Sequence, residues 1–98
     1  MRLGLHQKSL RIREESNRIG TEFLLADLDT GLTFVQVACV TGSQASRTRN
    51  LGKAFEVYRT VLHLIGRVES SPPERLEIER KLEDLRCRLE KAGISCNP

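Results

Sequence analysis

Leu32-Thr33-Phe34-Val35-Gln36-Val37-Ala38-Cys39-Val40 decides the fold class, because its composition and its periodicity point in different directions. The β-branched and aromatic residues, bounded by Gly31 and Gly42, are strand chemistry. Extended backwards, however, the pattern is helical. Leu24, Leu25, Leu28, Leu32, Val35 and Cys39 fall within about a 100° arc of one helical face, with Ala38 beside it. A strand here also has no convincing partner elsewhere in the chain, and lone strands are not stable. Residues 21–41 are therefore expected to form a helix with Cys39 on its core face. Gly31 in its middle costs about 1 kcal/mol relative to alanine and is expected to mark close packing.

Two further helices follow from clearer patterns. Leu51, Ala54, Phe55, Tyr58, Val61, Leu62, Ile65 and Val68 keep helical spacing, and Val57 and Leu64 widen the stripe to about half the circumference. A helix that apolar is expected to sit between two neighbours, which makes residues 46–68 the middle helix. Ser71-Pro72-Pro73-Glu74 then reads as a capping box with proline at the first helical position. Beyond it Ile78, Leu82, Leu85, Leu89 and Ala92 form a narrow seam. Glu77/Lys81, Asp84/Arg88 and Arg86/Glu90 are opposite-charge pairs at i,i+4, and Gly93 suits the residue after the helix end. Residues 72–92 are the third helix.

Short connections, 42–45 and 69–71, make helices of this length antiparallel neighbours. The expected fold is all-α: an up-down-up antiparallel three-helix bundle over residues 21–93. A basic N-terminal arm (1–20), with a short helix at 8–18 anchored by Leu10 and Ile12, precedes it, and a tail (94–98) follows.

The chain has 98 residues, 39% hydrophobic and 30% charged, an ordinary balance for one small folded domain. Large multidomain enzymes, collagen-like chains and disulfide scaffolds are excluded. The formal charge of +3 resides in the first twenty residues, where Arg2, Lys8, Arg11, Arg13 and Arg18 outnumber Glu14 and Glu15. Cys39, Cys87 and Cys96 have no metal-ligand spacing and suit a reducing compartment as free thiols, with Cys87 and Cys96 the two open to oxidation. Residues 23–40 are apolar in stretches, but Asp27 and Asp29 interrupt them, and the expected location is cytoplasmic, without a membrane partner.

The run Asn50-Leu51-Gly52-Lys53-Ala54-Phe55-Glu56-Val57-Tyr58-Arg59-Thr60-Val61-Leu62 resembles the second helix of tetratricopeptide-like hairpins, with a small residue at Ala54, an aromatic at Tyr58 and a leucine at Leu62. The whole layout also resembles the microtubule-interacting-and-transport type of three-helix module. This resemblance implies a module that binds peptide segments of other proteins.

No nucleophile with a base, convergent carboxylate pair or phosphate-cradling glycine loop stands at recognisable spacing, so neither an enzyme nor a cofactor site is expected. His63 falls on the polar side of the second helix, and Asp27 and Asp29 point apart, wrong for one metal ion. More informative are Phe23, Phe34 and Val37, which cluster within about 60° on the first helix away from its core face. They are the candidate partner-binding residues, for another protein or for a second copy of the chain. The alternative is nonspecific nucleic-acid binding through Arg11 and Arg13 of the arm together with Arg47, Arg49 and Lys53.

Overall fold

Ser43 and Ser71 begin two of the three helices. The Ser43 hydroxyl accepts the Ser46 N–H at 3.2 Å. At Ser71 the box is reciprocal: its hydroxyl accepts the Glu74 N–H at 3.4 Å, while the Glu74 carboxylate accepts the Ser71 N–H at 3.3 Å. A computed structural model describes residues 2–96, with side chains for residues 11–96. Its elements are α1 (Arg2–Val40), α2 (Gln44–Leu64), a 3-10 turn (Ile65–Arg67) and α3 (Pro72–Lys91). The fold is an all-α three-helix bundle, and the disputed stretch 32–40 is helix.

The core is aliphatic. Leu24, Leu28 and Val35 of α1, Ala54 and Val61 of α2, and Ile78, Leu85 and Leu89 of α3 are all buried. At Gly31 the backbone of α1 lies so close to both neighbours that a Cβ would sit 2.8 Å from Val57 Cγ1 and 3.1 Å from Leu85 Cδ2. Ala54 and Tyr58 also face this core. Polar ties register the helices: Lys81 Nζ reaches Asp29 at 2.6 Å across α3 and α1, and Thr21 shares a 2.7 Å hydrogen bond with Ser70.

Four expectations need correction. The first twenty residues are not a separate arm with a short helix at 8–18, because α1 runs unbroken from Arg2. Exposed Arg11–Ser16 carry no core face, which is why hydrophobic spacing fails to register the helix there. The second helix ends at Leu64 rather than 68: the backbone tightens into the 3-10 turn, and the Arg75 guanidinium donates to the Ile65 carbonyl at 3.1 Å. Cys39 is exposed although its face is inward. The Lys81–Asp29 pair sets Lys91 about level with residue 39, so α3 ends where Cys39 would need cover. Finally, 94–96 is no free tail. Gly93 at φ +93° reverses the chain, Gly93 N–H meets the Glu90 carbonyl at 3.0 Å, and Ile94 N–H meets that of Leu89 at 2.9 Å. This Schellman closure carries Cys96 into the core at 7% exposure, so Cys96 is not open to oxidation. Burial pushes its thiol above the ordinary value, and does the same to the Tyr58 hydroxyl.

Candidate functional site

Fifteen residues of α1 before Asn17 precede the level at which the bundle begins. Asn17 Oδ1 accepts the Glu69 N–H at 3.2 Å, which places the α2–α3 connection beside residues 17–21. The helix then runs about 22 Å further toward its N-terminus.

Over residues 12–37 α1 shows one uncharged seam. Ile12, Ile19 and Ala26 repeat every seven residues, and Ser16, Phe23, Thr30 and Val37 interleave with them, all within an arc of about 80°. The large members are open to solvent: Ile12 is 66% exposed, Ile19 57%, Phe23 49% and Val37 39%. Single exposed apolar residues are common on any surface, but a continuous line of them free of charge is a surface feature. Between Ile19 and Phe23 the seam borders an apolar groove walled by Leu64 and by Val68, which packs directly on Gly20.

Of the three sequence candidates, Phe23 and Val37 lie on this seam and are exposed. Phe34 is different: it is half-buried against the core, with the Lys53 ammonium 5.5 Å from its ring centre. The seam therefore extends N-terminally through Ile19 and Ile12 rather than through Phe34. Sequence reasoning missed Ile12 and Ile19 because it assigned them to an arm, although the seven-residue spacing from Ile12 to Ala26 was there to be read.

The basic candidates do not converge. Arg11 and Arg13 lie near the N-terminal part of α1, whereas Arg47, Arg49 and Lys53 open α2 beside the other end of α1. The two groups are about 40 Å apart by helix rise, so they form two small patches rather than one. Arg11 and Arg13 are moreover interleaved with Glu14, Glu15 and, through a 3.6 Å pair, Arg18.

His63 is exposed on the outer face of α2 beside Glu56, Arg59 and Thr60, an open surface dip. Asp29 is tied to Lys81, while Asp27 points elsewhere and is raised by partial burial. Among the described residues no cluster of His, Cys, Asp and Glu has the geometry to hold a metal ion. On α3 the expected pairs form: Lys81–Glu77 at 3.7 Å, Arg88–Asp84 at 3.0 Å and Arg86–Glu90 at 2.8 Å. Arg86 also binds Glu83, which holds the Glu83 carboxyl below the usual range and raises the guanidinium. By length and hydropathy alone, Arg11–Val40 is also long and apolar enough to cross a bilayer, at a mean hydropathy of 1.5 over its most apolar window.

No known protein family matches the chain, and neither a curated protein nor a solved structure is similar to it.

Proposed function

We propose that the chain is a small, non-enzymatic protein-interaction module whose working surface is the uncharged seam of α1. The observation that carries this reading is the exposure of Ile12, Ile19 and Phe23 on one helical line, next to a groove that the bundle itself builds. A helix presenting such a stripe is the geometry of helix-on-helix recognition, in which anchors at i, i+4 and i+7 enter a partner's surface. The rest of the molecule serves as a scaffold: α2 and α3 bury most of their apolar residues in the core and, Leu62 and Leu76 apart, leave polar and charged faces outward. Burial of the seam removes apolar area from water at about 25 cal/mol per Å², before the costs of association. The expected setting is the cytoplasm, and the resemblance to peptide-binding helical modules agrees with a binding role.

The test is co-purification of a tagged chain, alongside an untagged copy, from the cells that make it. Phe23→Asp combined with Ile19→Asp, both at exposed positions, is expected to strip off whatever the wild type retains, the untagged copy included. Retention of the same set by the variant overturns the reading. The nucleic-acid alternative requires affinity that falls steeply with salt. The separation of its two basic groups makes salt-insensitive or absent binding the expected result.

A further inference from the structure

We infer that the occupant of the seam is a second copy of this chain, paired antiparallel through residues 11–22 of α1 about a two-fold axis between Ser16 and Asn17. This rests on the reading of the seam as a contact surface and adds what covers it.

The charge pattern beside the seam carries the inference. Arg11, Glu15, Arg18 and Glu22 follow one another at 4,3,4 spacing along one flank, within an arc of about 60° and with alternating sign. An antiparallel pair brings like flanks together. With the axis between Ser16 and Asn17, residue 11 lies beside residue 22 of the second copy, and residue 15 beside residue 18. Every cation on the flank then meets an anion: Arg11 meets Glu22, and Glu15 meets Arg18, each pair formed twice by symmetry. A parallel pair sets this flank against the opposite one, which carries Arg13, Gly20 and Asp27, and there Glu22 meets Asp27. The alternation is self-complementary in one orientation only. Within one chain Glu15 and Arg18 already pair at 3.6 Å, both exposed, and the antiparallel contact exchanges that pair for two between the chains.

The groove fits the same axis independently. Ser16, Ile19, Gly20 and Phe23 are the i, i+3, i+4 and i+7 positions of a helix, the diamond into which a facing side chain inserts when helices interlock. Gly20 lets Val68 pack directly on the helix backbone, where a Cβ would sit 3.0 Å from Val68 Cγ2, and Val68 with Leu64 forms the wall beside Ile19 and Phe23. The axis that pairs the charges sets Ile12 of the second copy level with residue 21, inside this diamond. Ile12 is the most exposed of the large seam residues. The two bundles lie on opposite sides of the axis, because each begins only at Asn17 of its own α1. The contact is isologous, so it closes as a dimer and leaves no propagating surface.

The experiment is solution mass by light scattering on the purified full chain over about a hundredfold concentration range. The wild type is expected to move from monomer to dimer, and Ile12→Asp to remain monomeric with unchanged circular dichroism. Arg11→Glu is expected to weaken dimerisation several-fold, about the scale of an exposed charge pair. Adding Glu22→Arg to it restores the dimer. Residues 11 and 22 are about 16 Å apart along one helix, so the restoration reports a contact between chains. In a chain with Cys39 and Cys87 replaced by serine, Ser16→Cys is expected to form an oxidised dimer and Ile12→Cys to form none. A monomer at every concentration overturns the second copy as occupant and leaves the seam itself to the co-purification test. A dimer indifferent to Ile12→Asp places self-association on another surface and overturns the second copy as occupant, leaving the seam to the co-purification test. Failure of the charge swap to restore, with crosslinking through Ile12→Cys, overturns the antiparallel arrangement.

Discussion

Gly31 is the point where α1 approaches α2 and α3 most closely, and the absence of a side chain there is what lets Val57 and Leu85 meet the helix backbone. Alanine would gain about 1 kcal/mol of helix propensity but would collide with Val57 Cγ1 at 2.8 Å, which is side chain anchored in the core. Overpacking of a tight core costs about 1–3 kcal/mol, so Gly31→Ala is expected to lower stability, read as a drop in thermal midpoint. Gly52, whose Cβ would meet nothing within 4 Å, is the control: Gly52→Ala is expected to stabilise. Cys96 makes a second residue-scale prediction. Its thiol is held above the ordinary 9.0 by burial, so the folded chain keeps that proton to higher pH than the unfolded chain does. The contribution is complete below 9.0 and is lost as pH rises through the folded value. Urea midpoints are expected to fall between neutral and alkaline pH, and less so in Cys96→Ala; the raised Tyr58 hydroxyl adds to the fall in both proteins.

At the scale of elements, local chemistry and burial divide the work unequally. The α3 helix is specified at both ends, by the Ser71/Glu74 box and by the Gly93 closure, and its charge pairs line the outer face. Ser71→Ala is expected to cost about 1 kcal/mol, visible in chemical denaturation, because the Glu74 N–H loses its acceptor and the Glu74 carboxylate keeps only the residue 71 backbone N–H. By contrast α1 has no acidic residue in its first turn to oppose the helix dipole. Its N-terminal half must draw support from exposed pairs such as Glu15–Arg18, which are worth little each, and from whatever packs on its seam. Truncation before residue 15 is therefore expected to leave the thermal midpoint of the monomer nearly unchanged, because among the described residues 11–16 are exposed and burial starts at Thr21 and Leu24. The same truncation is expected to abolish self-association.

Across the whole molecule, a longest dimension of 64 Å against 22 and 20 Å follows from one helix outrunning its two partners. The consequence is a chain with a stabilised body at one end and an uncharged line of side chains extending past it. Thiol reactivity maps this arrangement. Cys39 lies at the open end of the bundle, Cys87 is half-buried on α3 and Cys96 is enclosed. Alkylation followed by mass spectrometry is expected to label them in that order, with Cys96 slower than Cys39 by about tenfold or more, since access falls along the series and burial also raises the Cys96 thiol.

Capping and periodicity are local, so the residues themselves determined α3 almost to its boundaries, the existence of α2, and the choice of helix over strand at 32–40. The tightness at Gly31 was also legible, because an interior glycine needs a reason. What the tertiary structure decided was which of several apolar lines is covered. Phe34 and Phe23 share a face by spacing, yet the first is partly buried against the core beside Lys53 and the second stays half exposed. Cys39 and Cys96 exchanged their expected places because the length of α3 and the fold-back after Gly93 are properties of the packed chain. Ile12 and Ile19 gained meaning only once α1 was seen to run past the bundle. Burial depends on where neighbouring helices end, and no periodicity within one helix records that.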